Sequence, residues 1–411
     1  MNELLASTRL DPALALELAL SAPLVVSGLL LWLYNLQGGP GLFRWGASQA
    51  FFWAWGSAVF PVLLALAGFL PGLQPEVQRS LSLSGAGIGL FISASFGLLF
   101  WNWRRLIRRP WDPLRRPVLL NLEHGVKLPP DSDPVWHLVF SSDPHFSSSL
   151  SDAGSGMSFL RWAQKSQVQA AVVLGDFVED GLHGWGFVTG LLADGLGRVP
   201  FLPVLGNHDA LLGGTRLFLR AFPRGKTNSG SPWYFSWDLS WGKKILARFF
   251  VVHLLWGTET FGKAQRSWLE KALETTPQEV VKIALSHCFF AASGSKEPRG
   301  RAWYDHPETL AAVAPLFEKY GVSLVISGHS HALEELERQG VRYAVVGGLG
   351  GTLAPEPSYV SPFSLWRGFG SFGGLELKGV GQAVELVYRD ALGRELHRSS
   401  LPIPPRSEPQ I

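Results

Sequence analysis

Cysteine is nearly absent: Cys288 is the single one in 411 residues, beside only two methionines. One thiol excludes an internal disulfide framework and any cysteine-based zinc cluster. Set in the apolar run IALSHCFF, it reads as a small buried hydrophobe. Charge is scarce as well, at 17% of residues, whereas aromatics reach 12% with 17 Trp. A chain of this length can bury a large core and hold more than one folded unit. The sequence pI near 9.0 points toward nucleic acid only if its basic residues have no local explanation, and they have one.

Charge is missing altogether from three stretches before about residue 105: Leu18–Leu36, Trp45–Pro75 and Ser80–Trp103. Each is close to or longer than the roughly 20 apolar residues that cross a bilayer as helix. Their terminal Trp and Phe suit an interfacial belt. The expectation is an all-α transmembrane region of about three spans over 1–109. Immediately after it come Arg104, Arg105, Arg108, Arg109, Arg115 and Arg116, against Arg79 and Glu76 in the preceding loop. By the positive-inside rule this cluster places the remainder in the cytoplasm, in an integral membrane protein. The same cluster accounts for the high pI, so no nucleic-acid partner is expected, and the lipid bilayer is.

From about Pro134 short Val-, Ile- and Leu-rich runs alternate with helix-compatible stretches. The runs cover 135–140, 170–174, 201–205, 245–255, 280–285, 322–326 and 341–346, and fit strands buried on both faces. Helices are expected over 262–274 and 307–321, the second capped by Gly321. A linker is expected over 110–133, a folded domain over 134–398 and a Pro-rich flexible tail over 399–411.

Five polar clusters each follow one of these runs. VFSSDPHF supplies Asp143 and His145, VVLGDFVEDG supplies Asp176, PVLGNHD supplies Asn207, His208 and Asp209, IALSHCFF supplies His287, and VISGHSH supplies His329 and His331. Ligands collect at the carboxyl ends of strands in α/β sheets, so five clusters so placed can converge. In extended backbone, Asp-x-His and His-x-His aim both side chains to one side. Gly175, Gly206 and Gly328 are expected to let the chain turn sharply beside them. Carboxylate, amide and imidazole without thiolate suit two divalent or trivalent ions such as Mn, Zn or Fe. One carboxylate can bridge two such ions.

The ordered series D-x-H, GD, GNHD, SH, GHSH resembles the calcineurin-like metallophosphoesterases over roughly residues 134–350, with support from SPWYFSW, KAQRSWLEKAL and YAVVGGLGG. That resemblance implies an α/β fold, a β-sandwich flanked by helices in four αββα layers, here behind the transmembrane region. It implies one metal held by Asp143, His145 and His331, a second by Asn207, His287 and His329, and Asp176 between them. A hydroxide shared by the metals would attack phosphorus, with His208 as the catalytic group and Asp209 orienting it.

The expected function is therefore a membrane-anchored binuclear-metal phosphoesterase acting on a phosphomonoester, phosphodiester or pyrophosphate. The anchor, together with PWYFSWDLSW (232–241) facing lipid, makes a lipid-linked substrate attractive. The alternatives are a non-catalytic metal-binding scaffold or sensor, and a nuclease of the same fold. Glu179 and Asp180 suit either support of the site or a solvated turn. Pro144 removes an amide donor beside it. His183, His306, Arg299 and Arg301 are secondary pocket candidates, and His124, His137, His253 and His397 have no ligand-spaced partner. Nothing in the sequence sets an oligomeric state.

Overall fold

The computed structural model describes residues 74–81, 83, 84, 88, 94, 101, 113–131, 133–295, 304–380 and 383–402. The chain divides into two compact units, Met1–Arg109 and Pro110–Ile411.

The second unit contains fourteen described strands. They are β1 (Val126–Leu128), β2 (Trp136–Ser141), β3 (Ala170–Val173), β4 (Phe201–Pro203), β5 (Phe235–Trp241), β6 (Lys244–Val251), β7 (Val281–Ser286), β8 (Leu324–Ser327), β9 (Leu333–Arg338), β10 (Val341–Val346), β11 (Ser364–Gly368), β12 (Gly373–Val380), β13 (Ala383–Asp390) and β14 (Glu395–Pro402). The helices are α1 (Ala153–Lys165), α2 (Trp185–Leu196), α3 (Asn207–Ala210), α4 (Thr215–Ala221), α5 (Lys263–Glu274), α6 (Pro307–Ala312) and α7 (Ala314–Tyr320). One sheet has the order β1-β5-β6-β7-β8-β10-β9-β11 and the other β14-β13-β12-β2-β3-β4.

Three apolar clusters show how the layers stack. Phe140, Trp237, Phe249, Ile283 and Leu377 lie between the sheets. Phe159, Leu192 and Phe218 pack α1, α2 and α4 on the outer face of the six-stranded sheet. Leu269, Leu273 and Phe317 pack α5 and α7 on the eight-stranded one. The four αββα layers expected from the sequence are present, and strands with cover on both sides account for the nearly unbroken apolar runs.

The membrane region is the main correction. Among the described residues no helix is long and apolar enough to cross a membrane. The stretches 18–36 and 45–73 lie outside the described residues, as do most of 80–103 and Arg104, Arg105, Arg108 and Arg109. The described helical residues 75–81 carry Glu76 and Arg79. The membrane-anchored form, the bilayer as partner, the integral-membrane and cytoplasmic placement, and the lipid-linked substrate are accordingly set aside. The physical reason is that missing charge is a property of composition, whereas a span requires one continuous apolar helix.

Two elements assigned to the bilayer belong to the sandwich instead. Arg115 forms an ion pair with Asp194 on α2, and Arg116 donates to the Arg220 carbonyl at 2.9 Å. The segment 232–241 is mostly β5, whose alternation sends Phe235, Trp237 and Leu239 into the inter-sheet core. Trp237 stacks on Phe249 at 4.0 Å and 5°. Each such side chain contributes roughly 1.5–3 kcal/mol by leaving water, which ties β5 to the core rather than to lipid.

Other differences are local. The expected helix over 307–321 breaks at Val313, because Pro315 has no N–H for the Ala311 carbonyl. Gly321 caps the second half at φ 68°. Within the expected linker, β1 pairs in parallel with β5, and Leu120 and Phe201 share a backbone hydrogen bond of 2.8 Å. At the other end β14 continues past Ser399 to Pro402.

Candidate metal centre

Parallel strands β2, β3 and β4 in one sheet, and β7 and β8 in the other, all end at the same edge of the sandwich. The segments that follow them carry the polar clusters. Backbone bonds lock these segments together: Asp143 N–H donates to the Gly175 carbonyl at 3.1 Å, His145 N–H to that of Asp176 at 2.9 Å, and Gly328 N–H to that of His287 at 3.0 Å.

Two sets of side chains converge. Asp143, His145 and His331 form one, and Asp176, His287 and His329 form the other, with the ligand atoms of each set within 4.8 Å of one another. Asp176 faces both, its Oδ2 lying 3.3 Å from His287 Nε2 and 3.6 Å from His145 Nε2. Asn207 Oδ1 is 2.6 Å from His287 Nε2. The second nitrogen of each of three rings is engaged: His287 Nδ1 at the Leu174 carbonyl (2.7 Å), His331 Nδ1 at the Thr352 carbonyl (2.7 Å), and His145 Nδ1 at Glu179 Oε2 (2.9 Å). Such contacts fix which ring nitrogen points inward.

The extended-backbone expectation fails here. Asp143, His145, Asp176 and His329 have φ of 60°, 44°, 57° and 64°, so these side chains are presented from left-handed backbone just beyond the strand ends. Asp and His tolerate this region better than most residues, at a cost of about 1–3 kcal/mol each. Of the three glycines singled out for turning, only Gly175 has positive φ, 105°. At Gly206 and Gly328 the requirement is space. A Cβ on Gly206 would lie 2.2 Å from Asp176 Oδ1, and one on Gly328 would lie 2.0 Å from Ser142 Oγ.

Polar atoms here lie buried without a hydrogen-bonding partner: Asp143 Oδ1, His145 Nε2, Asn207 Nδ2 and Ser142 Oγ. Buried acceptors are rarely left so, and two of these atoms belong to metal-competent groups aimed into the cluster. The donor set therefore fits a binuclear metal site. Burial would raise the carboxyls of Asp143 and Asp176, but His331 beside the first and His287 beside the second hold both below the ordinary range, Asp176 well below. Burial would likewise lower His287 and His331, yet Asp176 and Asp143 respectively carry each up to about 9. Burial and the His287 charge push His329 down to about 3.

In the metal-free protein His287 and His331 hold protons at pH 7, and ligation requires neutral imidazole. Metal binding at pH 7 should release about two protons per chain, and the release should vanish as pH rises through about 9. Calorimetry in buffers of different ionisation enthalpy measures this, and release indistinguishable from zero at pH 7 would contradict it.

His208 and Asp209 are not paired. The Asp209 carboxylate turns away and accepts from the amides of Asp176 (2.9 Å), Phe177 (2.8 Å), Val178 (3.2 Å) and Gly206 (3.0 Å). His208 Nδ1 instead meets the Glu179 carbonyl at 2.6 Å, and lies 3.8 Å from Glu179 Oε1. His145, Glu179 and His208 form a third convergent group. The GDxxE spacing was the one sequence signal for Glu179. Neither Leu174 nor Thr352 left any signal, since both act through backbone carbonyls.

The secondary candidates scatter. His183 pairs with Asp180 at 2.6 Å on the surface, His137 with Glu376 at 2.5 Å and His397 with Glu335 at 3.1 Å. His253 is driven down to about 3 by burial and by Arg224. His124 lines a separate polar cavity of about 550 Å³ near β1 and β5. Burial pushes the Cys288 thiol well up, so it stays inert. His306 packs edge-on to Phe289 at 6.1 Å, and Arg299 and Arg301 lie outside the described residues.

Residues 137–333 match the model of the calcineurin-like phosphoesterases. No curated protein matches the sequence. Among solved structures, the purple acid phosphatase PPD1 from yellow lupin (Lupinus luteus) is similar at 18% identity and TM-score 0.53, with 67% of this chain and 55% of that one covered. The chain thus spans about half the length of the lupin protein. GAP50, the anchor in the inner membrane complex of Plasmodium, is similar at 16% identity and TM-score 0.51, covering 66% and 89%. PhoD is similar at 12% identity and TM-score 0.50, covering 68% and 71%. At these identities the likeness is one of fold.

Proposed function

We propose, for a chain that is a metal-dependent phosphoesterase, that its centre hydrolyses phosphomonoesters or phosphodiesters with two metal ions and His208 as general acid. The observation that carries this reading is the pair of three-residue ligand sets with Asp176 facing both.

In this reading Asp143, His145 and His331 would hold one ion and Asn207, His287 and His329 the other, with Asp176, which faces both sets, shared between them. Mn, Zn and Fe suit the mixed nitrogen and oxygen donors. When bound, the ions supply Lewis-acid chemistry: they lower the pKa of water and neutralise phosphoryl oxygens. The chain's own residues do the remainder. Leu174 and Thr352 carbonyls keep the rings of His287 and His331 aimed inward. Glu179 orients His145 through its carboxylate and His208 through its carbonyl. With Nδ1–H given to that carbonyl, His208 presents Nε2 to the site as the atom that carries the mobile proton. Water adds its oxygen to phosphorus and gives up a proton to solvent, the ester P–O bond breaks, the leaving oxygen takes the proton from His208 Nε2, and solvent returns a proton to Nε2. Asp209 acts at one remove, by tying the loop that carries Asp176 to the loop that carries Asn207 and His208.

The test is reconstitution. Protein stripped of metal should be inert toward bis-p-nitrophenyl phosphate and p-nitrophenyl phosphate, and Mn or Zn should restore turnover of at least one. Hydrolysis that persists in chelator, or none after metal is restored, would overturn the reading.

A further inference from the structure

We infer that Trp256 forms the floor of a subsite for an aromatic leaving group, so that aryl phosphoesters are the substrates this centre favours; the inference rests on the reading of His208 as the acid on the leaving-group side.

Trp256 stands where that group must emerge. Its ring lies 6.5 Å from the His208 ring at 37°, and 4.9 Å from His329 at 84°. It therefore flanks both the acid and a member of the second ligand set. A ring joined directly to the leaving oxygen would have this indole as its nearest aromatic neighbour on the His208 side. Phe289 continues the surface, stacked 5.8 Å from His329 at 25°, and His306 closes it against Phe289 at 6.1 Å. Trp256 is half-buried: it packs against the apolar cluster beneath α1, α2 and α4, with its Nε1 buried, and leaves part of its surface open beside His208 and His329.

The loop behind it is held in place. The Trp256 backbone N–H donates to Glu259 Oε1 at 2.9 Å, and Thr260 Oγ1 donates to the His253 carbonyl at 2.5 Å. Thr258 Oγ1 donates to Glu308 Oε2 at 3.2 Å. A Cβ on Gly257 would come within 2.8 Å of His306 Cε1, so loop and histidine are in close contact. Such a loop presents an aromatic face without ordering cost at binding. The same loop pair carries Glu259 and Glu308, which oppose a second phosphate and favour an uncharged ring.

Calorimetry on the metal-reconstituted full chain tests this with phenylphosphonate and methylphosphonate, which carry the same anionic head and differ in the ring. Phenylphosphonate should bind about tenfold more tightly, the size of one aromatic pair. Trp256→Ala and Trp256→Leu should remove that advantage while leaving methylphosphonate affinity unchanged, and Trp256→Phe should keep most of it. Equal affinity in the wild type, or an advantage that survives Trp256→Ala, would overturn the inference. If Trp256→Ala also weakens methylphosphonate, the Phe and Leu variants decide, since both fill the site and only one stacks. Neither phosphonate is hydrolysed, so this result stands apart from turnover: a phenyl advantage without any ester hydrolysis would sink the acid assignment and leave the subsite.

Discussion

Asp176→Asn should lower kcat/KM for p-nitrophenyl phosphate by about a thousandfold or more, while the protein stays folded. Asparagine has nearly the same shape, and its carbonyl oxygen can still accept the His208 backbone N–H that Asp176 Oδ1 accepts at 2.8 Å. What disappears is the negative charge shared by the two ligand sets. Two cations held a few ångströms apart repel one another strongly without it. A second signature accompanies the loss. Burial acts to lower His287, and the Asp176 charge is the main influence that raises it to about 9. Without that charge, His287 should surrender its proton in the apo state, and proton release on metal binding should fall. Turnover within about tenfold of wild type would contradict the bridging role.

Asp209→Ala should destabilise the domain by about 3–5 kcal/mol, near the top of the range for single substitutions. Asp209 is fully buried, and four backbone amides from two loops converge on its carboxylate. Each amide left without an acceptor costs about 1–3 kcal/mol, partly relieved by entering water. One of the four is the Gly206 amide at the start of α3, so the loss also uncaps that turn. Asp209→Asn keeps one oxygen acceptor and should cost less. Urea unfolding measures both. A change under about 1 kcal/mol for alanine would mean the loops are held by other contacts.

The difference between Asp209 as expected and as found shows where sequence reading stops. Asp209 follows His208 directly, which suggests a pair. On the short turn of α3, however, neighbouring side chains point about 100° apart and do not face each other. The partner of His208 is Glu179, 29 residues away, brought in by a different loop. The metal-competent residues were legible because their chemistry is unusual and their order follows strand ends. Their left-handed backbone was not, since it arises from how five loops meet.

The fold was legible to the same degree. Runs such as VVKIAL read as strands because β7 is covered on both faces. β9, with sequence LEELER, has no apolar run and is absent from the expected strands, yet Glu334 and Glu335 are buried. Ser293 amide and hydroxyl satisfy Glu334 at 2.7 and 2.6 Å, while Arg342, His397 and Ser399 surround Glu335. Ser293, His397 and Ser399 are remote in sequence, and Arg342 comes from the paired strand β10, so no pattern within LEELER itself announces them. β5 failed for another reason. Its alternation of Phe235, Trp237 and Leu239 with Ser236, Asp238 and Ser240 fits a strand, but aromatic content alone does not tell a protein core from a lipid surface.

The most direct test of the two-metal account is a titration of the apo protein with Mn, following p-nitrophenyl phosphate hydrolysis and bound metal together. The two ligand sets predict that activity tracks occupancy of the second ion, saturating at about two ions per chain, and that Asp176→Asn binds fewer. Full activity at one ion per chain, or two ions bound with no hydrolysis, would contradict it.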